Sequence, residues 1–463
     1  MTEVTEHATG SLTLDLGRFI STLRFEHIPD AALPPIRTAF ADTTGVAIAG
    51  ARDTAPQLVK RLITPGGTEA TLLGNQGRAS ALDAAWINGT AAHALDFDDV
   101  SQRGFGHASA FLVPAILAEA EALGASGKDI ITAYAAGYET IAELVVRDAD
   151  VGRYHDKGWH PTGCFGAVGA AAACASLRKL TPEQCAMTLG LAASQACGLI
   201  VNVGTMTKPL HAGRAAHAGL ASARLVAGGF TAALDAFERA PGYLHAFSFG
   251  GRVDVTSQIK AGREWRICGS NRISVKKYPT CYCTHRAIDG MFDLLRAHPV
   301  KATDVAHITV SISRRNAHIL RNHQPQTGLE AKFSIEFAMT APIIARRAGL
   351  AELTDAFVQR PEVQSLMQCV SVEPDDRDNP VRPGYAIEDR ITLTTRGGGR
   401  YDSGPVTQTR GDHDSPLDES ELWTKFEDCL MAAEAGKSAR ALFDTLMRLD
   451  DVSDARALAQ LLG

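Results

Sequence analysis

The chain has 463 residues, more than one hydrophobic core of ordinary size accommodates, and this length predicts two domains. A formal net charge of −6 and the lack of any Lys/Arg-rich run argue against nucleic acid as a partner. No stretch approaches about 18 uninterrupted apolar residues, and the polar, acid-containing start does not resemble a signal peptide. We therefore expect a cytoplasmic protein without membrane spans.

Small residues are expected to fill much of the core. Aromatic residues make up only 6% of the chain, which contains 42 glycines. Alanine-rich tracts at 168–176, 191–197 and 215–227 predict helices whose backbones approach closely. The nine cysteines lack the paired CxxC spacing of a structural zinc site, so most are predicted to be reduced core residues. We assign no chemistry to the lone CxC of Cys281 and Cys283.

Helical periodicity dominates the first half of the chain. Segments 30–50, 79–95 and 127–147 are predicted to be helices, the last with apolar residues three and four positions apart on one face. Thr181 begins a capping box with proline at the first helical position, which predicts a helix running toward Cys197. A further helix fits 211–228.

The pattern changes from about residue 270. Alternation of branched apolar and polar residues predicts strands at 308–313 and 390–395, separated by a helix at 330–347 and a Pro/Asp-rich loop at 373–384. A final helical region is predicted to open at Ser415–Asp418. The fold class is thus mainly α: an all-helical domain over 1–268 and 412–463, with a smaller α+β domain over 269–411 inserted.

Candidate chemistry begins at the end of the helix at 79–95. Asp96, Asp98 and Asp99 lie within four residues, and His107 follows. Clustered carboxylates are also typical of Mg²⁺ or Ca²⁺ sites, but the spacing of a calcium-binding loop is missing. We favour a hydrogen-bonded acid/base site in which a buried aspartate orients a histidine, and we predict no metal. Helix capping by one of the aspartates is the alternative.

Two later segments add a histidine and a lysine. His160 precedes a Gly/Ala-rich helix predicted to begin at Thr162 or Gly163, where backbone N–H groups would suit a substrate carboxylate. Lys208 precedes a proline and is predicted to lie in extended backbone at the mouth of the next helix, as a fixed cation. A structural histidine and a surface lysine are the respective alternatives.

The segment at 276–289 combines several polar side chains around a turn into a helix. Lys277, Tyr278 and Arg286 are predicted to bind substrate carboxylates, and His285 is suited to proton transfer.

Five blocks, in this order, resemble the MmgE/PrpD family, which includes 2-methylcitrate dehydratase, cis-aconitate decarboxylase and iminodisuccinate epimerase. They are NGTAAHALDFDD at 88–99, GWHPTGCFGAVGAAAA at 158–173, KPLHAGRAAHAGLASARLVAGGFTA at 208–232, KKYPTCYCTHRAID at 276–289 and AKFSIEFAMTAPI at 331–343. The resemblance implies a homodimer with a helical domain, an inserted lid domain, and a site between them that uses neither metal nor organic cofactor. It also matches the following residues to the family's active-site positions: Asp96, His107, His160, Lys208 and His285.

The resemblance implies a lyase that removes a proton beside a carboxylate of a citrate-like di- or tricarboxylic acid, as a dehydratase or decarboxylase. The alternatives are an epimerase (isomerase) of a dicarboxylate such as iminodisuccinate, and a binding protein without turnover. We assign proton transfer to the three histidines, orientation of one of them to Asp96 and carboxylate binding to Lys208. Val100 and Ala108 depart from the Thr and Pro usual in cis-aconitate decarboxylases, which leaves the product open.

Overall fold

The structure, a computed structural model, describes residues 11–63, 66–101, 105–150, 153–269, 272–377, 379–380 and 386–462. It contains two compact units: the first comprises 1–94, 98–273 and 433–463, and the second 95–97 and 274–432. The domain boundaries drawn from the sequence, at 268/269 and 411/412, stay a prediction. The polar start of the chain at 1–10 and part of the loop at 373–384 lie outside the described residues.

The first unit is helical apart from a short antiparallel hairpin. Its elements up to residue 273 are α1 (Leu12–Thr22), α2 (Leu33–Gly50), α3 (Thr54–Lys60), β1 (Ala70–Leu72), β2 (Gly77–Ala79), α4 (Ala81–Ala94), α5 (Ala108–Leu123), α6 (Gly127–Val146), α7 (Pro161–Leu177), α8 (Pro182–Ala193), α9 (Thr207–Ala227) and α10 (Tyr243–Phe247). Helix α9 packs against both α4 and α7.

Glycines allow α9 to approach these two helices. A Cβ atom at Gly213 would lie 2.2 Å from Thr90 Oγ1 of α4, and one at Gly219 would lie 2.5 Å from the backbone nitrogen of Ala171 in α7. Both distances are shorter than van der Waals contact, so neither position has room for a larger residue. This packing fixes where the first residues of α9 lie relative to α4 and α7.

Side-chain caps begin several helices in this unit, including α3, α6 and α8. Thr181 accepts a hydrogen bond from the backbone of Gln184, whose side chain in turn accepts from Thr181, so the predicted capping box is confirmed. The helix ends at Ala193, four residues before Cys197, so it is shorter than predicted. The apolar face of α6 is fully buried, including Tyr134 and Tyr138.

The second unit packs helices on a small mixed sheet. Its elements are α11 (His285–Ala297), β3 (Val305–Ser313), α12 (Arg314–Ile319), α13 (Gly328–Ala331), α14 (Ile335–Ala345), α15 (Asp355–Val358), α16 (Pro361–Met367), β4 (Val370–Asp375), β5 (Arg390–Thr395), β6 (Arg400–Asp402) and α17 (Glu419–Ala432). The strand order is β4-β3-β5-β6, with β3 parallel to β4 and antiparallel to β5. Ile308 and Val310 of β3 share a buried cluster with Met291 of α11 and Met339 of α14.

Two helix boundaries in this unit differ from those predicted. The single helix predicted at 330–347 is divided into α13 and α14, because the Ser334 side chain accepts a hydrogen bond from Phe337 N and caps a new helix. The final helical region begins at Glu419 rather than at Ser415. Asp418 supplies the cap, since its carboxylate accepts from Glu421 N at 2.8 Å.

The chain returns to the first unit with α18 (Ala439–Met447) and α19 (Arg456–Leu462). A mainly α fold with a smaller α+β portion is thereby confirmed. All nine cysteines lie in the described part of the chain, none of them forms a disulfide, and four of them are buried. Among the described residues, no helix combines the length and apolar character needed to cross a membrane.

Candidate active site

Helix starts bring three of the five predicted active-site residues into the first unit. His107 and His160 are the residues immediately before α5 and α7, and Lys208 is the second residue of α9. The extended backbone predicted for Lys208 is wrong. Because first-turn N–H groups have no helical partner, Pro209 is accommodated there and the helix includes Lys208.

The predicted start of α7 is also displaced, since the helix begins at Pro161. The carbonyl oxygen of His160 accepts hydrogen bonds from Gly163 N at 3.0 Å and Cys164 N at 3.2 Å. These two N–H groups are therefore already engaged within the helix. A substrate carboxylate at the start of α7 would therefore have to be bound by side chains rather than by the backbone N–H groups of Gly163 and Cys164.

Asp98 connects two histidines. Its Oδ2 atom lies 2.9 Å from His93 Nδ1 and 3.0 Å from His107 Nδ1. Asp98 and His93 are almost completely buried, and the His107 side chain is 12% exposed. The His93 and His107 ring centroids are 4.4 Å apart. One carboxylate thus fixes a pair of imidazoles.

His160 extends this arrangement to a row of four imidazoles. Its ring is stacked on that of His93, with centroids 6.0 Å apart and planes inclined by 15°. His160 Nδ1 lies 3.0 Å from His211 Nδ1, so one of these nitrogens donates and the other accepts. We call the four residues His93, His107, His160 and His211 the imidazole cluster.

The electrostatic environment keeps the buried imidazoles neutral. Burial lowers the pKa of His93 to about 3, against the opposing effect of the Asp98 carboxylate. Burial also lowers the pKa of His160 well below its ordinary value, and His93 and Lys208 lower it further. Lys208 is only 7% exposed. The rings of His93 and His160 are therefore neutral and can accept protons, and Lys208 is a buried cation beside them.

The adjacent carboxylate, Asp99, has a different environment. It accepts a hydrogen bond from the Ser109 hydroxyl, whose oxygen lies 2.8 Å from Tyr134 Oη. Burial raises the pKa of Asp99 to about 7, against the hydrogen bond from Ser109, and the carboxylate of Asp42 raises it further. Asp98 and Asp99 are neighbours in the chain but have different partners, and their pKa values are shifted in opposite directions.

The other two predicted active-site residues lie in the second unit. Lys276 donates to both the backbone oxygen and Oδ1 of Asp96, each at 2.7 Å. Asp96 has a left-handed backbone with a φ of 53°. Burial lowers the pKa of His285 to about 3, and Lys276 lowers it further. His285 Nε2 lies 3.3 Å from Thr280 O, whereas its buried Nδ1 has no hydrogen-bond partner in the described part of the chain.

The residues predicted to bind substrate each contact a carboxylate of the second unit. Lys277 Nζ lies 2.6 Å from Glu421, Tyr278 Oη donates to Asp289 at 2.7 Å, and Arg286 Nη2 lies 2.6 Å from Asp389. These contacts would have to be exchanged for contacts to a substrate. The substrate-binding role of Lys277, Tyr278 and Arg286 stays a prediction.

Three residues of the first-unit arrangement, Asp98, His93 and His211, were not predicted as site residues. Asp98 contacts both His93 and His107, whereas the orientation of a histidine by Asp96 stays a prediction. Three aspartates within four residues carry the same local signal, so their sequence does not distinguish them. For His93, the available signal was its position in the last turn of α4, five residues before Asp98.

Two groups of described residues could hold a metal ion: one includes His93, Asp98 and His107, and the other consists of Asp412, His413 and Asp414. Donor atoms of His93, Asp98 and His107 lie within 4.8 Å of one another. Their separations of 2.9 and 3.0 Å are hydrogen-bond distances, whereas two ligand atoms held at about 2.0–2.2 Å from one tetrahedral zinc ion lie about 3.3–3.6 Å apart. The geometry fits a proton shared within each pair, so a bound ion would require these side chains to rearrange.

Known proteins similar to this chain include several cis-aconitate decarboxylases. Cis-aconitate decarboxylase from Mus musculus is 25% identical over 98% of this chain and 93% of its own length. The Homo sapiens protein of that name is 25% identical over 98% and 94%, and the Aspergillus terreus one is 26% identical over 79% of each chain. Family models of the MmgE/PrpD N-terminal and C-terminal domains match residues 14–256 and 278–449. Since these two matches cover most of the sequence, the chain belongs to the MmgE/PrpD family.

Proposed function

We propose that the protein is a lyase that acts on a citrate-like di- or tricarboxylic acid. The observation that carries this proposal is the imidazole cluster beside Lys208, in which one carboxylate contacts two histidines and burial keeps His93 and His160 neutral. Lys208 would bind a substrate carboxylate by a charge-assisted hydrogen bond. The family membership and the decarboxylase relatives support the same substrate class.

The reaction requires a base, an acid and stabilisation of negative charge next to a carboxylate. In dehydration, an imidazole takes a proton from the carbon beside the carboxylate, and the hydroxyl group leaves as water after protonation by an acid. In decarboxylation, the C–C bond to a carboxylate breaks, carbon dioxide leaves, and the electron pair takes a proton. We assign these transfers to His107, His160 and His285.

Substrate charge would adjust the histidines for this role. Burial and Lys208 hold the pKa of His160 low, so the ring accepts protons only weakly in the unliganded protein. A polycarboxylate bound beside the ring brings negative charge, which favours the imidazolium and raises the pKa toward the range useful for proton transfer at neutral pH. Binding of the anionic substrate and activation of the base are therefore coupled.

Incubation with citrate, 2-methylcitrate, cis-aconitate and iminodisuccinate in D₂O, followed by NMR, tests the proposal. We expect a product that has lost water or carbon dioxide from one of the first three acids. Deuterium at the α-carbon of a dicarboxylate without a new C=C bond would instead identify an epimerase. Ligand-induced thermal stabilisation without any product would identify a binding protein.

Removal of divalent metal is expected to leave the activity unchanged. The Asp98–His93 and Asp98–His107 pairs are joined at hydrogen-bond distance, and the proposed transfers use only protons. The measurement is kcat before and after exhaustive dialysis against EDTA, with metal content determined for each sample. A loss of activity that Zn²⁺ or Mg²⁺ restores would contradict the metal-independent mechanism.

The predicted lid role of the α+β portion, the homodimer and the cytoplasmic location belong to the same proposal. They follow from the family resemblance and from composition. Gel filtration with light scattering tests the homodimer, for which we expect twice the chain mass of 49.2 kDa.

A further inference from the structure

We propose that Asp98 is a positioning residue that holds His93 and His107 in one tautomer, with the proton of each ring on Nδ1. The contacts are those of Asp98 Oδ2 with His93 Nδ1 at 2.9 Å and with His107 Nδ1 at 3.0 Å. The kinetic part of this inference rests on the proposed lyase function, whereas the tautomer itself does not.

The hydrogen-bonding capacity of a carboxylate carries the first step. An ionised carboxylate only accepts hydrogen bonds, so His93 Nδ1, which is hydrogen-bonded to Asp98, must donate to it. His107 Nδ1 lies 3.0 Å from the same carboxylate oxygen and is placed to donate to it as well. Burial opposes ionisation of Asp98, but the two imidazoles outweigh burial and hold the pKa of Asp98 well below its ordinary value. With Nδ1 protonated, a neutral ring carries its basic lone pair on Nε2.

The remaining nitrogen of His93 carries the second step. His93 Nε2 is buried and has no hydrogen-bond partner within the described ranges. Buried polar atoms of native proteins are nearly always paired, so an unpaired acceptor in a polar cluster indicates a place for a ligand atom. Because His93 also stacks on His160, this acceptor belongs to the same cluster as the proposed proton-transfer residues. His93 is thus placed to accept a hydrogen bond from substrate.

Other charged and titratable groups of the first unit also influence the pKa of His93. Lys208 on α9 and His107 before α5 both act on His93 and disfavour its protonation. Asp99 neighbours Asp98 but contacts Ser109 rather than an imidazole. Asp99→Asn is therefore a matched control: it removes a buried carboxylate one residue away without removing a contact to histidine.

The test compares Asp98→Asn with Asp99→Asn in the full-length protein labelled with ¹⁵N-histidine. An asparagine amide nitrogen donates, so it cannot serve both Nδ1–H groups as the carboxylate does. We expect the ¹⁵N shifts of His93 and His107, assigned from the single His→Gln variants, to report Nδ1–H in the unmodified protein. In Asp98→Asn, at least one of the two rings should change to Nε2–H, and in Asp99→Asn neither should.

The activity of Asp98→Asn and the pH dependence of its kcat/KM are expected to change together with the histidine tautomers. Loss of a residue that orients a functional histidine typically costs about 10- to 100-fold in activity. Removing the Asp98 charge also disfavours the imidazolium, so the acidic limb of the kcat/KM profile should move to lower pH. A merely structural role would lower activity without moving that limb. Asp98→Glu, which retains the charge, is expected to restore part of the activity and the position of the limb.

Either measurement can overturn the proposal. Nε2–H tautomers at both His93 and His107 in the unmodified protein would refute it, even if Asp98→Asn failed to fold. Unchanged histidine shifts in a folded Asp98→Asn protein would refute it as well. If the tautomers are as proposed but none of the four acids is converted, the lyase function fails while the positioning role of Asp98 stands.

Discussion

Replacing His160 with Gln is expected to lower kcat by about 10²- to 10⁴-fold, the usual contribution of a positioned proton-transfer group. Glutamine retains hydrogen-bonding capacity but cannot take up a proton at neutral pH. His160 stacks on His93 and shares a 3.0 Å contact with His211, so its replacement removes the middle of the imidazole cluster. The measurement is kcat on the substrate identified in the NMR screen.

His323→Gln is the matched control for this variant. His323 lies in the second unit, its side chain is 65% exposed, and it contacts Glu336 at 2.8 Å. Like His160, it is a histidine with a polar partner, but it lies outside the proposed machinery, so its kcat should stay within about twofold of the unmodified protein. A loss of less than about threefold at His160, with the fold intact by circular dichroism, would remove His160 from the mechanism.

Replacing Lys208 with Met is expected to reduce kcat/KM by about 10- to 150-fold, mainly through a higher KM. Hydrogen bonds to charged groups contribute about 1.5–3 kcal/mol, and methionine retains the length of the side chain while losing the charge. A second effect follows from the field of the ammonium group. Lys208 is among the causes that lower the pKa of His93 and of His160, so its removal should raise both.

The Lys208 and Asp98 variants are expected to shift the pH profile of the rate in opposite directions. A histidine base with a raised pKa loses its proton at higher pH, so the acidic limb of the rate profile should move upward in Lys208→Met. Asp98→Asn should move it downward. Lys179→Met is the control, since the Lys179 side chain is 78% exposed and forms an ion pair with Asp129 at 3.6 Å. An unchanged KM and an unmoved limb in Lys208→Met would contradict its role.

Local sequence was sufficient where a structure depends on nearby residues. The Thr181 capping box and the strands at 308–313 and 390–395 were predicted because capping and alternation are short-range patterns. Boundaries were wrong where two caps competed. Ser334 divided a predicted helix and Asp418 replaced Ser415 as the cap, because serine and aspartate signals recur every few residues and packing selects among them.

Substrate-binding predictions showed a second limit of local sequence. Lys277, Tyr278 and Arg286 have residue types suited to carboxylate binding, but the nearest carboxylates belong to the protein itself. Those partners lie between 11 and 144 positions away in the chain. Only folding reveals that such long-range contacts form, because their spacing in the sequence carries no pattern.

The sequence by itself determined the family, the mainly α fold class and the kinds of residue that carry the proposed chemistry. Its ordered motif blocks contain Asp96, His160, Lys208 and His285 whatever the fold brings near them. Only the tertiary structure decided which aspartate serves the histidines. Asp96 lies in a left-handed turn after α4 and forms an ion pair with Lys276. Asp98, two residues later, contacts His93 and His107 instead. The physical reason is that contact depends on the path of the backbone in space, which three neighbouring aspartates do not encode separately.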